Sequence, residues 1–394
     1  MTSDVRRIAA AFAAAAVTAT LGALAVPATS AAAPAVTPLT AAQKAEVGGP
    51  LMASPGIVVS YPARGAWKLP KIPASAYLVA NASTGAVLVA KDAHGLYPPA
   101  STLKLLTAIT MLPRLNPTGY LKASKLAVSQ VPNIVGLIRG HHYQVADLFR
   151  ALLLISANDA AVTLVQGAGS FSRGMALLNA EAQHLQAYDV VAKLPNGLPA
   201  PGQVVSAYDL ALIARQALAM PAFLKYDETL VARFPITRRK KVTLINQNYL
   251  LTQYKGGIGG KIGWTTAAKA TYVGLARRNG VTLIVTILHC TPLEEITSAE
   301  KLLNWGFAMN SHVAPVGTLV PPLSAARPAP APTGSPRPSP TATIAGASNA
   351  LAGAGARNSR GGQLVVGAAI AAVLCVGLVG FVFRRRRSTA GDEK

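Results

Sequence analysis

Two stretches of the chain are written as short apolar runs divided by turn residues. In AYLVANASTGAVLVAKDA, residues 76–93, the runs flank Ser83-Thr84-Gly85, which predicts a β-hairpin. In ATYVGLARRNGVTLIVTILH, residues 270–289, the same arrangement surrounds Asn279-Gly280, a strong two-residue hairpin turn. Between them the period changes. QVADLFRALLLISANDAAVTLVQGA and SAYDLALIARQAL repeat their apolar positions every three or four residues, the mark of helices. After the second hairpin, TPLEEITSAEKLLNWGFAMN offers Thr291 as N-cap, Pro292 at the first helical position and Glu294 three residues on, a capping box that opens a last helix. Strands first and last with helices between predict an α+β fold (mixed α/β): an antiparallel sheet made from both ends of the domain, covered by helices, beside an inserted helical lobe. A cleft is expected where sheet and lobe meet.

The flanks carry different patterns. Residues 1–33 run from Arg6 and Arg7 through an alanine-rich apolar stretch to PATSAAA, the form of a signal peptide with cleavage near Ala31–Ala33. Leu364–Phe383 is an uninterrupted apolar stretch, about 30 Å as a helix, enough to cross a bilayer. Arg384–Arg387 follow at once and belong on the cytoplasmic side. Residues 313–363, rich in Pro, Ala and Gly, read as an extended stalk reaching on the order of 150 Å. The expected order is a signal peptide (1–33), an exported domain (34–312, core 50–310), the stalk, the membrane helix (364–383) and a basic cytoplasmic tail (384–394). That order places the protein in the cell membrane with its domain on the wall side. The stalk follows the last helix closely.

Composition narrows the partners. The core, residues 50–310, holds 25 Lys and Arg against 11 Asp and Glu, a net charge of +14 within a chain of +22. Such a domain is drawn to polyanions such as wall polymers or lipid head groups, or the excess serves solubility alone. Nucleic acid does not fit an exported domain without a binding motif. Of the two cysteines, Cys375 lies in the membrane stretch and Cys290 in a strand-like run, so they form neither a disulfide framework nor a cysteine zinc site. His141, His142 and His184 have no further ligand spacing around them and read as surface residues, so no metal is expected.

Three short motifs carry chemistry. In PPASTLKLLTA, Ser101 precedes Lys104 by three positions at a helix start, which puts both on one face. A lysine in a dry or cationic setting can take the serine's proton, making Ser101 a nucleophile; the spacing equally suits a helix cap and a surface charge. The chain holds a second such pair, Ser298 and Lys301, read as surface. In LLLISANDAAVTL, Ser156 and Asn158 interrupt two helical runs, either to relay a proton and orient a substrate or to cap a helix. In GGIGGKIGWTTAAKATYVGLA, Lys261-Ile262-Gly263 sits in a glycine-rich stretch leading, after a short turn, into a strand. Lys261 could bind a carboxylate there and a backbone N–H could serve an oxyanion hole, or the lysine could be a solvated loop residue. The side-chain role of Trp264 is open.

In this order and context, the motifs resemble those of the low-molecular-mass penicillin-binding proteins, the serine-type D-Ala-D-Ala carboxypeptidases. The resemblance extends to LYPPASTLKLLTAI, LPNGLPAPGQVVSAYDLALIAR, INQNYLL and GGKIGWTTAAKATYVGLARRNGVTLIVTIL, and covers about residues 70–310. It implies the penicillin-binding/β-lactamase-like fold. It also implies a peptidoglycan stem peptide ending in D-Ala-D-Ala as substrate, β-lactams as covalent inhibitors, and no metal or organic cofactor. By resemblance Ser101 attacks, Lys104 is its base, and Ser156 and Asn158 shuttle the proton and orient the substrate. Lys261 binds the terminal carboxylate with Gly263, Trp264 and Thr265 beside it, and the N–H groups of Ser101 and Trp264 form the oxyanion hole.

Two features depart from the family. Ile262 stands where relatives usually carry a hydroxyl that helps hold the substrate carboxylate. A lost charge-assisted hydrogen bond is worth about 1.5–3 kcal/mol; Thr265 or Thr266 could compensate. The β-rich domain that several relatives carry after the catalytic one is not expected before the stalk. A class A β-lactamase would need a deacylating glutamate in an E-x-x-L-N loop, and the EAQHL segment at Glu181 does not match it. A non-catalytic or weakly active wall-binding protein and a DD-endopeptidase are the other readings.

Overall fold

The computed structural model describes residues 39–62 and 65–323. The proposed signal peptide, the membrane stretch, the basic tail and nearly all of the stalk lie outside the described residues. Among the described residues no helix is long and apolar enough to cross a membrane.

A short helix α1 (Ala41–Ala45) leads into strand β1 (Ile57–Val59), then the first hairpin, β2 (Ala74–Asn81) and β3 (Ala86–Lys91). Its turn forms where Asn81 Oδ1 accepts the N–H groups of Ser83 and Thr84. Helix α2 (Lys104–Met111) follows a tight 3₁₀ turn at Ala100–Leu103. The inserted lobe contains β4 (Tyr120–Lys122), α3 (Lys125–Val128), β5 (His142–Gln144), α4 (Val145–Leu154), α5 (Asn158–Gln166) and α6 (Phe171–His184). The chain returns through α7 (Ala207–Leu218), α8 (Pro221–Asp227), the ribbon β6 (Val231–Pro235) and β7 (Lys241–Ile245), and α9 (Leu250–Gln253). It ends in β8 (Gly257–Thr265), β9 (Lys269–Arg278), β10 (Val281–Cys290), α10 (Glu295–Met309) and β11 (Gly317–Thr318).

The main sheet is antiparallel in the order β1-β3-β2-β10-β9-β8, with β11 also pairing to β3. Both hairpins lie at its centre, and β10 joins them by pairing with β2. The turn between β9 and β10 places Asn279 and Gly280 at φ of 47° and 77°, as an Asn-Gly hairpin turn requires.

The central strands are apolar throughout because the sheet is covered on both faces. Ala76, Leu78 and Ala80 of β2, with Ile284 and Leu288 of β10, belong to the large core under α2 and α4–α8. Their neighbours Tyr77, Val79, Leu283, Val285 and Ile287 face the other way and pack with Leu302, Leu303 and Trp305 of α10. Each fully buried aliphatic side chain contributes about 1.5–3 kcal/mol, so neither face could be left to solvent cheaply.

Three sequence expectations are corrected. The capping box at Thr291 does not form: the helix starts at Glu295 with no side-chain cap. The Thr291 N–H is taken by Pro73 O, and Leu293 turns left-handed at φ 71°, so neither Thr291 nor Pro292 lies at the helix start. Ser298 is not on the surface; it is 1% exposed and lies 3.9 Å from the Cys290 thiol, while Lys301 is exposed. The stalk does not begin at residue 313, because Val316 and Leu319 are buried and β11 completes the sheet. Cys290 is wholly buried, as a small core residue should be.

Candidate active site

The turn Pro99–Leu103 delivers the first motif. Thr102 Oγ1 and Thr271 Oγ1 both donate to Pro99 O, at 2.6 and 2.9 Å, fixing the chain just before the serine. Ala100 is held left-handed at φ 46°, an arrangement costing a non-glycine residue of order 1 kcal/mol or more. Ser101 is not the cap of the helix: the N-cap of the 3₁₀ turn is Pro99 and that of α2 is Leu103. It is half-buried at the mouth, and Lys104, on the first turn of α2, is fully buried below it.

Lys104 Nζ lies 2.8 Å from Ser101 Oγ, 2.8 Å from Asn158 Oδ1 and 2.8 Å from Asn196 O. Burial pushes the amine well below its ordinary pKa, the positive charge of Lys261 pushes it further, and Asp159 opposes. Two of its three neighbours are carbonyl-type oxygens that only accept. A neutral amine has two hydrogens to give them and one lone pair left for the third neighbour, the Ser101 hydroxyl.

The break between α4 and α5 supplies Ser156 and Asn158. The helix caps neither of them: the N-cap residue is Ala157, with no side-chain bond. Ser156 sits left-handed at φ 61°, and its hydroxyl is buried without a hydrogen-bond partner. Asn158 is anchored through its own N–H to Asn133 O at 2.8 Å and through Nδ2 to Val131 O at 2.9 Å. Asp159 secures the same loop, its carboxylate accepting the N–H groups of Val135, Gly136 and Leu137.

Lys261 is not in a loop. It lies within β8, the edge strand beside the Ser101 turn, and is 2% exposed with Nζ donating to Ile262 O at 2.8 Å. Burial lowers it to about 8, and the Asp227 carboxylate opposes that fall. Gly263 lets the strand approach the nucleophile: a Cβ there would stand 2.7 Å from the Ser101 amide nitrogen. Thr265 Oγ1 accepts the Ala268 N–H and so closes the following turn, leaving that lone pair unavailable to a ligand. Trp264 is 55% exposed, and Ile262 packs on the α10 side of the sheet. Beside the serine, Pro98, Pro99, Gly197, Gln203, Thr265 and Ala267 line a groove of about 230 Å³.

The structure thus brings Ser101, Lys104 and Asn158 into direct contact, with Gly263 against the Ser101 backbone. Lys261 is near enough to act on Lys104 by charge. Sequence reasoning missed Asn196, whose carbonyl is the third neighbour of Lys104; the Asn-Gly turn signal in LPNGLP was the available hint. It also missed Asp227, for which the sequence carries no signal. His141 and His142 are exposed, and His184 is half-buried, 3.9 Å from Glu181. One group among the described residues could hold a metal ion, His94, Asp189 and Asp209. Both ring nitrogens of His94 are already committed, to Asp189 Oδ2 at 2.7 Å and Val47 O at 3.0 Å, which suits a hydrogen-bonded ion pair better than coordination.

Comparison with known proteins gives a consistent result. A family model described as D-alanyl-D-alanine carboxypeptidase matches residues 64–291. The D-alanyl-D-alanine carboxypeptidase DacB2 of Mycobacterium tuberculosis is 36% identical over 261 residues, 65% of this chain and 89% of that protein. The carboxypeptidase DacF of Bacillus subtilis is 27% identical over 57% of this chain, a match spanning only 60% of its own length. Among solved structures, a D-alanyl-D-alanine carboxypeptidase from M. tuberculosis has a TM-score of 0.62 at 36% identity, covering 66% of this chain and 99% of the other. A variant of a Streptomyces DD-transpeptidase has a TM-score of 0.58 at 28% identity, covering 61% and 99%.

Proposed function

The chain belongs to the D-alanyl-D-alanine carboxypeptidase family, hydrolases acting on cell-wall peptides, and from that premise we propose how its own residues remove the terminal D-alanine of a stem peptide. The observation that carries the reading is Lys104: a fully buried amine 2.8 Å from Ser101 Oγ, with its other two neighbours able only to accept.

Ser101 Oγ attacks the carbonyl carbon of the penultimate D-alanine as its proton passes to Lys104 Nζ. The N–H groups of Ser101 and Trp264 receive the developing oxyanion, an arrangement supported by the close approach of Gly263 to the Ser101 amide. Collapse breaks the C–N bond. The proton leaves Lys104 through the Ser156 hydroxyl for the departing amine, and an ester remains on Ser101. Water then adds to the ester, giving its proton to Lys104. That proton returns to Ser101 Oγ as the shortened peptide leaves. Asn158 orients both lysine and substrate, and Lys261 binds the terminal carboxylate. A β-lactam enters by the same attack, its ring amide standing for the scissile bond. We further propose that the domain works outside the cytoplasmic membrane, held by Leu364–Phe383; the apolar length and the arginines after it support this.

The test is D-alanine release by the full-length protein from a peptide ending in D-Ala-D-Ala, beside Ser101→Ala. Release should fall at least 1,000-fold in the variant, on the order of the loss of an activated nucleophile, with labelling by a fluorescent penicillin abolished. A folded parent that releases no D-alanine would favour a wall-binding protein instead.

A further inference from the structure

Strand β8 reaches Lys261 through two consecutive left-handed glycines, Gly259 at φ 146° and Gly260 at φ 128°. Neither position has room for a side chain. A Cβ on Gly259 would stand 2.1 Å from Asp227 Oδ2, and one on Gly260 would stand 2.0 Å from Val273 O. At Gly259 the space is filled by Asp227, the last residue of α8, 1% exposed and 33 positions before Gly260 in the chain. Its Oδ2 accepts the Gly260 N–H at 2.6 Å, one peptide before Lys261.

A buried carboxylate is an expensive way to satisfy one amide, since a neutral asparagine could accept the same hydrogen bond. The charge needs a second reason, and Lys261 provides it. The lysine is the cation that acts on Asp227, and Asp227 is the anion that acts on the lysine. We infer that Asp227 is a positioning residue for Lys261: through the Gly259-Gly260 cradle it fixes the strand that carries the lysine, and its charge keeps that lysine cationic for the substrate's terminal carboxylate.

This rests on the carboxypeptidase reading and extends it. Burial raises Asp227 to about 7, and Lys261 is held at about 8. Across the interval between them both groups are charged together. Other charged or titratable groups face the pair. Glu228 follows Asp227 on α8, Tyr272 comes from β9, and Lys104 comes from α2 with Asp159 of α5 behind it. All of these stay in place when Asp227 alone is changed.

Asp227→Asn keeps the shape and the amide acceptor but removes the charge. In the full-length protein, the alkaline limb of kcat/KM for D-alanine release should move about one pH unit lower. KM should rise about tenfold at pH 8, with kcat much less affected. In a Lys261→Arg background, where the cation cannot lose its proton, this limb should be absent and Asp227→Asn should not bring it back. The second readout needs no turnover: NMR titration of the Lys261 ζ-nitrogen should show its pKa lower in Asp227→Asn than in the parent. A parent without D-alanine release overturns the catalytic reading and leaves the titration to judge the pair. An unchanged titration in Asp227→Asn overturns the inference, whatever the activity. Should Asp227→Asn fail to fold, Asp227→Glu, which keeps the charge, must preserve the limb and the titration, and a loss of either would count equally against the inference.

Discussion

Lys104 and Lys261 occupy opposite walls of one site, are equally buried, and keep opposite company. Around Lys104 the near neighbours are neutral oxygens: a serine hydroxyl, an asparagine side chain and a backbone carbonyl. The charge of Lys261 bears on it from across the site. Burial and the charge of Lys261 favour the neutral amine, which is what a base must be, and together outweigh the opposing Asp159 carboxylate. Around Lys261 burial works in the same direction, but Asp227 lies one peptide away and pulls the other way. The same side chain at the same depth becomes a proton acceptor or a cation according to which neighbouring charge dominates, that of Lys261 over Asp159 at Lys104 and that of Asp227 at Lys261. Burial alone does not assign a lysine's role; the charge of its neighbours does.

Replacing each lysine with arginine separates the two roles. Arginine is never deprotonated in a protein, so Lys104→Arg removes the base while leaving a cation. Acylation of Ser101, followed by a chromogenic β-lactam, should slow by roughly 1,000-fold, within the usual contribution of a positioned base. Lys261→Arg keeps a cation that can bind a carboxylate, with a bulkier head in a tight place. There the loss should be closer to tenfold, about the worth of one displaced charged hydrogen bond, and should fall on KM. Equal losses at the two positions would erase the distinction.

The pH profile sharpens the same contrast. Lys104 must be neutral to act, so kcat/KM should rise with pH as it loses its proton; its burial and the charge of Lys261 place that limb well below the ordinary lysine range. Lys261 must be charged, so kcat/KM should fall as it titrates near pH 8. A bell with its alkaline limb near 8 is the expected outcome in steady-state assays. A rate still rising at pH 10 would mean that Lys261 need not be charged.

How much of this was legible in the sequence depended on how local the cause was. The hairpins at Ser83-Thr84-Gly85 and Asn279-Gly280 are set by a few adjacent residues, and both formed as expected. The Ser101–Lys104 spacing and the polar break at Ser156 and Asn158 are local too. The glycine-rich Gly257–Thr265 reads from sequence as either a strand edge or a solvated loop, and it is an edge strand, because pairing with β9 outweighs the poor strand propensity of its glycines. The capping box at Thr291 has every local mark and fails, since Pro73, just before the start of the neighbouring strand β2, takes the Thr291 N–H. Asp227 was invisible for the same reason: its partner is a backbone amide brought to it only by the fold. The motifs therefore named the reacting groups, and long-range contacts decided their protonation.

Ile262 gives the smallest and most diagnostic effect. By sequence it replaces a hydroxyl expected to hold the substrate carboxylate, a loss worth about 1.5–3 kcal/mol, or more than tenfold in rate. In the strand, however, Lys261 and Gly263 are buried on the side of the Ser101 turn, while Ile262 packs on the α10 side, as alternation along β8 requires. A threonine placed there starts on the wrong face, and its hydroxyl would have to reach around the strand edge to meet the carboxylate. Ile262→Thr should therefore change kcat/KM for D-alanine release by less than about tenfold. It should also cost stability of about 1 kcal/mol, the common size of a single substitution, read from the urea midpoint. A gain of a hundredfold would show that the edge lets the side chain at 262 reach the carboxylate. The Lys261 wall would then be incomplete in this chain, where the Lys104 wall is whole.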